Sequence, residues 1–503
     1  MSDVPGAVRQ GVRAIVVAQV ITQVFSLVVL AVLYRRIGPV PFGYMGMAVP
    51  LILLLRVFSS FGLNIATIQR PDISRDELNA LFWVQQVCGG LTFLLTAVCA
   101  PFLAAIYQVA DLVPIVLALS GTTILVSLAA QHQALMERHL RIKQLTFIRL
   151  IAQLVGGIVA VAAAYADWGV WALVSQQYVE WLIILVSVWT FEPWRPRRPG
   201  PIGSLGELLV FGGYWTGRSL ILAFGQYVDK FLLALWMAAS PSGLAAVGMY
   251  TQAFQLMQKP VLLVTAPISG VMLPALARVV TDSVSYRSFL HSFYRMVAIV
   301  LFPCGVGLAI VAGDTMQVLG GQRWVSAGWI LTLLAPAVLA QGFINLSGSV
   351  FAAAGRNDRL LRASLVMTCG MTVGYLIGIS LGSHWGPSEI GPAIGLAMAY
   401  SFLLLGFVYP YTAYAWKSAG VELHGLIVHL RRPVLATCAM GLAIISLRAV
   451  LNWLPVSSAS WRVGAMILLG AVIYSYIACK DLIWLRQQML DKSHQAVEGS
   501  DPS

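Results

Sequence analysis

Apolar residues follow one another along this chain in long, almost unbroken runs, with polar residues gathered in short stretches between them. The hydrocarbon core of a bilayer is about 30 Å thick and needs roughly 20 apolar residues for each helix that crosses it. The runs are too long and too uniformly apolar for barrel strands, so they predict helices. Fourteen such segments are predicted, at 14–34, 44–67, 80–104, 112–135, 146–166, 170–191, 207–236, 244–275, 290–312, 326–353, 363–382, 390–415, 433–453 and 461–484.

Composition supports an integral membrane protein. Of 503 residues, 59% are hydrophobic and 10% charged, whereas soluble domains carry roughly 25% charged residues. Arg9 and Arg13 precede the first apolar run, but no small-residue cleavage site follows, so this run is expected to be a retained first span. The six cysteines lie inside apolar segments at unrelated spacings and are expected to be small buried side chains rather than disulfides or metal ligands.

The basic residues are distributed unequally between the two sides of the predicted membrane. The net charge is +12, and 23 of the 32 Lys and Arg residues fall at the N-terminus, in alternate loops and in the C-terminal tail. Four more lie within spans, and the other side receives Arg35, Arg36, Arg323, Arg448 and Arg462. The positive-inside rule therefore predicts that both termini are cytoplasmic, in a multi-pass protein of the cell (inner) membrane. Without an aqueous domain that interleaves basic and aromatic residues, nucleic acid is not an expected partner.

A weak repeat divides the chain. Phe42 and Gly43 lead into span 2, and Gly248, Met249 and Tyr250 lead into span 8 from the same predicted side. Such parallel repeats predict two six-helix bundles around a central cavity, plus two C-terminal helices, with the lobes related by an axis near the membrane normal. The predicted parts are an N-lobe at 1–203 with spans 1–6, a C-lobe at 204–416 with spans 7–12, and spans 13–14 with a cytoplasmic tail at 417–503.

Motifs for enzymatic chemistry are missing from the sequence. It has no Gly-rich phosphate loop, no His-Glu-x-x-His and no paired Cys spacing. No catalytic residue, metal ligand or cofactor is therefore predicted, and the chain is not expected to be an enzyme. His429, beside Arg431, is expected on a solvated helix end rather than as a ligand.

Ionisable residues inside the spans are the candidates for function. A charge in the membrane interior costs at least about 2.5–3.5 kcal/mol, so it normally faces a partner or a wet cavity. Internal ion pairs are one interpretation, and a polar cavity lining is favoured for the cluster as a whole. Asp229 and Lys230 are adjacent, about 100° apart on a helix, and are not expected to share a face. The predicted lining consists of Arg56, Glu180, Arg218, Asp229, Lys230, Gln255 and Lys259. Its basic excess favours an anionic substrate.

Many short pieces of the first 280 residues resemble one transporter family. They are Ile37-Gly38-Pro39 with Phe42-Gly43, Phe61-Gly62-Leu63, Ile68-Gln69-Arg70, Phe82-Trp83, Glu137-Arg138, Trp168-Gly169-Val170-Trp171, Trp194-Arg195-Pro196, Asp229-Lys230 and Gly248-Met249-Tyr250. The chain resembles the polysaccharide transporter family, and more specifically the Wzx-type oligosaccharide flippases of the colanic-acid exporter kind. The rest of the chain resembles this family by hydropathy alone.

The resemblance implies a fold and a substrate. The fold is that of the multidrug/oligosaccharidyl-lipid/polysaccharide superfamily. The substrate is an oligosaccharide on polyprenyl pyrophosphate, moved between leaflets by alternating access for exopolysaccharide, capsule or O-antigen synthesis. Further implied partners are membrane lipids, a coupling ion (proton or sodium), and polymerase or export proteins.

Three other functions stay open. One is an ion-coupled multidrug or small-molecule exporter of the same superfamily, against which the basic excess argues. Another is a membrane-embedded glycan polymerase or ligase, which usually carries a large outer domain. The third is a structural partner of an export complex.

Overall fold

The computed structural model describes most of the chain. The described residues are 4–60, 62–70, 73–198, 205–237, 240–279, 282–386, 389–421, 423, 425–453 and 458–484. At some helical positions only the backbone is described, among them the helical residues up to 20 and Arg218.

The described residues form sixteen α-helices and one short 3₁₀ turn. The first eight are α1 (Val4–Ile37), α2 (Pro39–Ser60), α3 (Leu63–Gln69), α4 (Arg75–Tyr107), α5 (Leu112–Arg138), α6 (Ile142–Tyr165), α7 (Val170–Phe191) and α8 (Leu205–Met237). The others are α9 (Pro241–Arg278), α10 (Ser283–Gly320), the 3₁₀ turn Gln322–Trp324, α11 (Val325–Leu334), α12 (Ala337–Ala353), α13 (Asn357–Trp385), α14 (Gly391–Ser418), α15 (Leu426–Trp453) and α16 (Ala459–Ile477).

The helices are long and apolar enough to cross a membrane. Among the described residues, 12 helices meet this condition alone, and one bent pair raises the number to 13. The remaining predicted segment, 14–34, falls in α1, whose side chains before residue 21 are not described. All fourteen predicted segments overlap helices, so the all-α membrane fold is confirmed and the number fourteen is approximate.

Two predicted spans are divided in the structure. The segment 44–67 becomes α2 and α3, separated at Gly62, whose φ of 65° favours glycine. The segment 326–353 becomes α11 and α12, which bend by 54° at Ala335 and Pro336. Proline lacks a backbone donor, so a bend at this position has an ordinary cause.

Helix α4 shows that the exposed surface of the helices is suited to lipid rather than to water. Its apolar exposed stripe consists of Val87, Leu91, Val98, Phe102 and Ile106. Its buried polar residues are Asn79, Gln85, Thr92 and Thr96. A soluble helix buries apolar residues and exposes polar ones, whereas small and polar residues fill interfaces between membrane helices. This reversed pattern places the exposed stripe against lipid tails.

The chain divides into two compact units, Met1–Gly248 and Met249–Ser503. In unit 1, α8 packs against α2. The first turns of α9, up to Gly248, also belong to this unit and cross α2 closely: a Cβ on Gly43 would lie 2.1 Å from the carbonyl oxygen of Leu244, and one on Gly248 would lie 2.2 Å from that of Pro39. The lobe boundaries predicted from the sequence and the symmetry of the lobes stay predictions.

Glycines let two helices of unit 2 approach at backbone distance. A Cβ on Gly395 of α14 would lie 1.9 Å from the carbonyl oxygen of Gly378 in α13, and one on Gly382 would lie 2.2 Å from that of Gly391. Small residues commonly permit this contact between membrane helices.

Helices α10, α15 and α16 form a second packed group in unit 2. The buried carboxylate of Asp314 lies 2.8 Å from the guanidinium of Arg462 and 3.9 Å from that of Arg448. This ion cluster joins all three helices.

The described loops also show how two of the helices begin. Ser74 and Glu77 form a capping box at the start of α4. Asp282 caps α10, and hydrogen bonds from Ser285 hold the pKa of Asp282 below its usual range.

All six cysteines are free thiols. The expectation that they are buried is wrong for Cys369, Cys438 and Cys479, which are exposed, and the other three are only partly buried. Cys369 and Cys438 lie in long apolar helices, where a small apolar side chain is suitable on a face that meets lipid.

Candidate functional site

The Arg56 guanidinium in α2 is held by neutral groups. Its NH2 nitrogen donates a hydrogen bond to Oγ1 of Thr122 at 2.8 Å, and its carbon lies 5.9 Å from the ring centre of Trp181. Tyr227 of α8 is close enough to interact with it electrostatically. Among the described residues no carboxylate forms an ion pair with Arg56, and its buried Nε has no hydrogen-bond partner. The cation is thus positioned without being neutralised.

The contact between α5 and α7 fixes two of these partners. The Tyr178 hydroxyl donates a 2.5 Å hydrogen bond to the carbonyl of Ala118, one turn before Thr122. It lies against Gly121, where a Cβ would be only 2.3 Å from the hydroxyl oxygen. Trp181 follows one turn later on α7, so this packing sets the register that places Thr122 and Trp181 beside the guanidinium.

Glu180 has a neutral partner as well. Nε2 of Gln176 donates to its Oε1 at 2.9 Å, and the side chain packs over Gly156 of α6, where a Cβ would be 2.5 Å from Glu180 Cγ. The position is half-buried. Among the described residues no Lys, Arg or His forms an ion pair with Glu180, so it does not neutralise Arg56 by direct contact.

Asp229 and Lys230 form a buried ion pair. The Lys230 ammonium lies 3.0 and 3.2 Å from the two carboxylate oxygens of Asp229, and both side chains are almost fully buried. The prediction that these neighbours do not share a helix face concerns where they lie around the helix. Their side chains nevertheless meet, because the flexible four-carbon stem of lysine reaches back to its neighbour. The ammonium also lies 6.0 Å from the ring centre of Tyr227, which links this pair to the surroundings of Arg56.

The remaining member of the predicted lining in unit 1 is Arg218. Its side chain lies outside the described residues. The prediction that Arg218 and Asp229 share a helix face therefore stays a prediction.

In unit 2, Gln255 and Lys259 lie one turn apart on α9. Gln255 is exposed and Lys259 half-buried. Within the part of the chain that the structure describes, Lys259 has neither a carboxylate partner nor a hydrogen bond. Helix α9 continues through Pro260, the next residue. Lys259 is thus a second cation inside a span for which the described residues supply no neutralising group.

Further along α9, unit 2 contains a chain of neutral polar side chains. Asn345 donates to Oγ1 of Thr265 at 3.4 Å, Gln341 donates to Oδ1 of Asn345 at 3.1 Å, and the Tyr400 hydroxyl donates to Oε1 of Gln341 at 2.9 Å. Amides and aromatic rings of this kind can bond hydroxyl groups and stack on apolar faces. The sequence prediction, which considered mainly charged residues, missed this set.

A buried amide network in unit 1 was missed for the same reason. Gln85 donates to Asn64 at 2.8 Å and to Gln131 at 3.2 Å, and Gln131 contacts Thr67. Arg138 donates to the last carbonyls of α3, including that of Thr67 at 2.8 Å. Two glutamines in neighbouring apolar spans are the signal that could have revealed it, since a buried amide needs several partners.

These features define a class: a multi-pass helical membrane protein with cations placed inside its spans. The chain belongs to the polysaccharide biosynthesis protein family, whose sequence pattern matches residues 32–329, more than half of the chain. The resemblance to polysaccharide transporters is therefore confirmed.

Curated relatives cover most of the chain. Teichuronic acid biosynthesis protein TuaB of Bacillus subtilis is 24% identical over 87% of this chain and 88% of its own length. Lipopolysaccharide biosynthesis protein WzxC of Escherichia coli is 24% identical over 78% of this chain and 77% of its own. Succinoglycan biosynthesis transport protein ExoT of Rhizobium meliloti is 23% identical over 61% of each chain.

Solved structures share the fold. The lipid II flippase MurJ, in an inward closed conformation, matches with a TM-score of 0.70 and 12% identity over 93% of this chain and 99% of that chain. An inward-facing multidrug resistance transporter of the MATE family and the MOP superfamily matches with a TM-score of 0.60 and 12% identity. The match covers 79% of this chain and 95% of that chain. The predicted superfamily fold is thereby confirmed.

Proposed function

We propose that this protein is a transporter that moves a lipid-linked oligosaccharide across the membrane for the synthesis of a cell-surface polysaccharide. Its relatives are named for teichuronic acid biosynthesis, lipopolysaccharide biosynthesis and succinoglycan transport, and MurJ is named a lipid II flippase. The substrate consists of a polyprenyl tail, an anionic pyrophosphate and a hydrophilic glycan. Access to it alternates between the two sides of the membrane, and the protein itself forms or breaks no covalent bond.

The setting of Arg56 is the observation that carries this proposal. A guanidinium within a span is costly unless an opposite charge or water compensates it. Thr122 and Trp181 orient this cation, but among the described residues no carboxylate pairs with it. Arginine presents a planar fork of donors that matches phosphate oxygens. A substrate pyrophosphate is the anion that completes this arrangement, and Arg218, also in unit 1, offers further positive charge in the sequence prediction.

The alternative of a drug exporter for cationic molecules is less well supported. Such a substrate requires a carboxylate that is available inside the span. In unit 1 the Asp229 carboxylate is bonded by Lys230, and Glu180 accepts a hydrogen bond from Gln176. Among the described residues of the predicted lining, Asp229 is neutralised by Lys230, and Glu180 has only a neutral partner. Two cations of that lining, Arg56 and Lys259, likewise lack a carboxylate partner, so the positive charges outnumber the negative ones.

The proposed orientation follows the distribution of the basic residues, with both termini in the cytoplasm and the protein in the inner membrane. Local contacts in unit 1 support the alternation of the loops between two sides, and they are the same for either orientation. The guanidinium of Arg36 lies 4.0 Å from the carboxylate of Asp167, which brings the loop after α1 together with the loop after α6. Arg141 and Glu192, 3.7 Å apart, bring the ends of α5 and α7 together. These contacts group the loops as an alternating topology requires.

Glycan export by variants in a deletion strain tests the proposal. We expect Arg56→Ala to lower the amount of surface polysaccharide by about tenfold or more, since a hydrogen bond from a charged group typically contributes about 1.5–3 kcal/mol. Arg56→Lys should retain part of the activity, because it keeps the charge and loses the fork. Lipid-linked oligosaccharide should accumulate inside cells that carry Arg56→Ala.

The matched control is Arg149→Ala. Arg149 is an exposed cation of unit 1 whose 3.4 Å ion pair with Glu137 lies on the surface, so we expect normal export. Membrane abundance and elution as a single species in detergent should be checked for every variant. Normal export by a well-folded Arg56→Ala protein would contradict the role of this residue.

A further inference from the structure

Unit 2 contains a cavity of about 750 Å³ that is separate from the residues described above. It lies where the start of α10 meets the turn after α14, the start of α15 and the residues that follow α16. Its lining is Val284, Arg287, Ser288, His291, Ser292, Arg295, Gly420, Val421, His429 and Trp484. All four of these chain segments are on the predicted cytoplasmic side, so the cavity opens at the level of the lipid headgroups.

One face of α10 supplies most of the cavity wall. Arg287, His291 and Arg295 are four residues apart, and Ser288 and Ser292 lie beside them at the same spacing. Residues at this spacing stack on one side of a helix. The sequence thus contains a row of cationic and hydroxyl-bearing side chains at the point where the helix enters the membrane.

Neighbouring residues position this row. The Arg295 guanidinium pairs with the buried carboxylate of Asp481 and lies 4.3 Å from the ring centre of Trp484. The ring centres of His291 and His429 are 4.6 Å apart, and His291 also stacks on Trp416 at 5.3 Å. The Asp481 carboxylate balances Arg295. Arg287 adds a second guanidinium to the lining, and the two imidazoles add ring nitrogens.

We propose that this cavity binds a phosphate group at the cytoplasmic face of the membrane. Arginine, imidazole and serine hydroxyl groups are donors that suit phosphate oxygens. Tryptophan is enriched at the boundary between headgroups and acyl chains, so the indole of Trp484 suits a site at this level. The phosphate has two sources, the headgroup of an anionic phospholipid or soluble phosphate, and both place the same oxygens against Arg287, Ser288 and His291. This site is independent of the proposed substrate lining around Arg56.

Binding to the purified full-length protein in nanodiscs tests this site. One arm uses discs of phosphatidylcholine that contain phosphatidylglycerol, and counts the lipids retained by native mass spectrometry. The other arm uses phosphatidylcholine discs with inorganic phosphate in solution, and measures the thermal unfolding temperature. Ser288→Glu places a carboxylate in the cavity at an exposed position, and we expect it to weaken binding by about tenfold or more. Ser288→Ala removes one hydroxyl donor without adding a negative charge, so it should weaken binding less than Ser288→Glu does.

A second variant and a control keep the result interpretable. His429→Ala removes an exposed donor from the rim and should weaken binding less than Ser288→Glu does. Arg362→Gln removes one positive charge from the exposed start of α13, outside the cavity lining, and should bind normally.

Each outcome has a meaning. Retention of phosphatidylglycerol that Ser288→Glu abolishes and Arg362→Gln leaves intact supports the site with a lipid as the source. Stabilisation by inorganic phosphate with the same pattern supports it with soluble phosphate as the source. The proposal is overturned if neither probe binds the unchanged protein, or if Arg362→Gln weakens binding as much as Ser288→Glu. Glycan export by cells that carry Ser288→Glu is measured as well. Normal export together with weakened phosphate binding would show that this site is separate from the proposed transport function.

Discussion

At the scale of single residues, the charges inside the spans fall into two kinds. Asp229 and Lys230 neutralise each other in a buried pair, whereas Arg56 and Lys259 have only neutral surroundings among the described residues. A buried pair is costly to break, because the remaining charge keeps its desolvation penalty. The first kind therefore serves the stability of the fold, and the second is available to a ligand.

This distinction predicts the effect of breaking the pair. Asp229→Asn should destabilise the protein by about 3 kcal/mol, because a buried ammonium then lacks the carboxylate that it bonds. The double variant Asp229→Asn with Lys230→Gln should recover part of the loss, since neither charge is then left alone. Thermal unfolding in detergent measures both.

The surface pair of Arg149 and Glu137 provides the comparison. Both side chains are exposed, and Arg149→Ala should change stability by at most about 1 kcal/mol. Equal losses for Asp229→Asn and Arg149→Ala would show that the buried pair has no special structural role.

The sequence located the charges but not their partners. Arg56 could be recognised because a charge within an apolar run is rare. Thr122 and Tyr227 could not, since Thr and Tyr occur in spans for many reasons and only the packing of α5 and α8 brings them to the guanidinium. The pairing of Lys230 with its own neighbour depends on side-chain conformation, which helical spacing does not determine.

At the scale of the helices, apolar length was sufficient to predict nearly every element, and local backbone chemistry explains the exceptions. The span at 44–67 is interrupted at Gly62 and the span at 326–353 bends at Pro336. Glycines and prolines also occur inside helices that continue, such as α9 with Pro260. The sequence alone therefore does not show which of them ends a helix.

Close packing of α13 on α14 leads to a prediction with an internal control. Gly395→Ala should destabilise the protein by about 1–3 kcal/mol, because the new Cβ would lie 1.9 Å from the carbonyl oxygen of Gly378. Gly406→Ala, in the same helix, has no atom within 4 Å of the new Cβ and should be neutral or slightly stabilising. Thermal unfolding of the two variants compares them directly. If Gly406→Ala lowered the unfolding temperature as much as Gly395→Ala, the backbone contact would not be the cause.

At the scale of the whole molecule, the proposed orientation places both termini in the cytoplasm. A phosphatase reporter, active only outside the cytoplasm, should be inactive after Ser503 and active when inserted after Asp167, in the turn between α6 and α7. This expectation rests on the excess of basic residues on the side of the membrane where the N-terminus is predicted to lie. Phosphatase activity of the fusion after Ser503 would reverse the orientation.

The whole-molecule fold was the part best predicted from the sequence. Fourteen apolar segments and the family resemblance led to the superfamily fold, and similarity to MurJ over 93% of this chain agrees with it. The residues that contact substrate are harder to predict, because a transporter must release its cargo and its interactions with the cargo are modest and are not concentrated in a diagnostic motif.

Transport by the purified protein tests the central claim most directly. Proteoliposomes are prepared with a fluorescent oligosaccharide on polyprenyl pyrophosphate, and a membrane-impermeant glycosidase is added outside. Without transport, about half of the lipid-linked glycan should be protected in the inner leaflet. We predict that the unchanged protein makes this protected fraction accessible, that Arg56→Ala does so at least about tenfold more slowly, and that Arg149→Ala behaves like the unchanged protein. A protected fraction that stays constant in the presence of folded protein, under every ion gradient applied, would contradict the claim that this protein moves lipid-linked oligosaccharides.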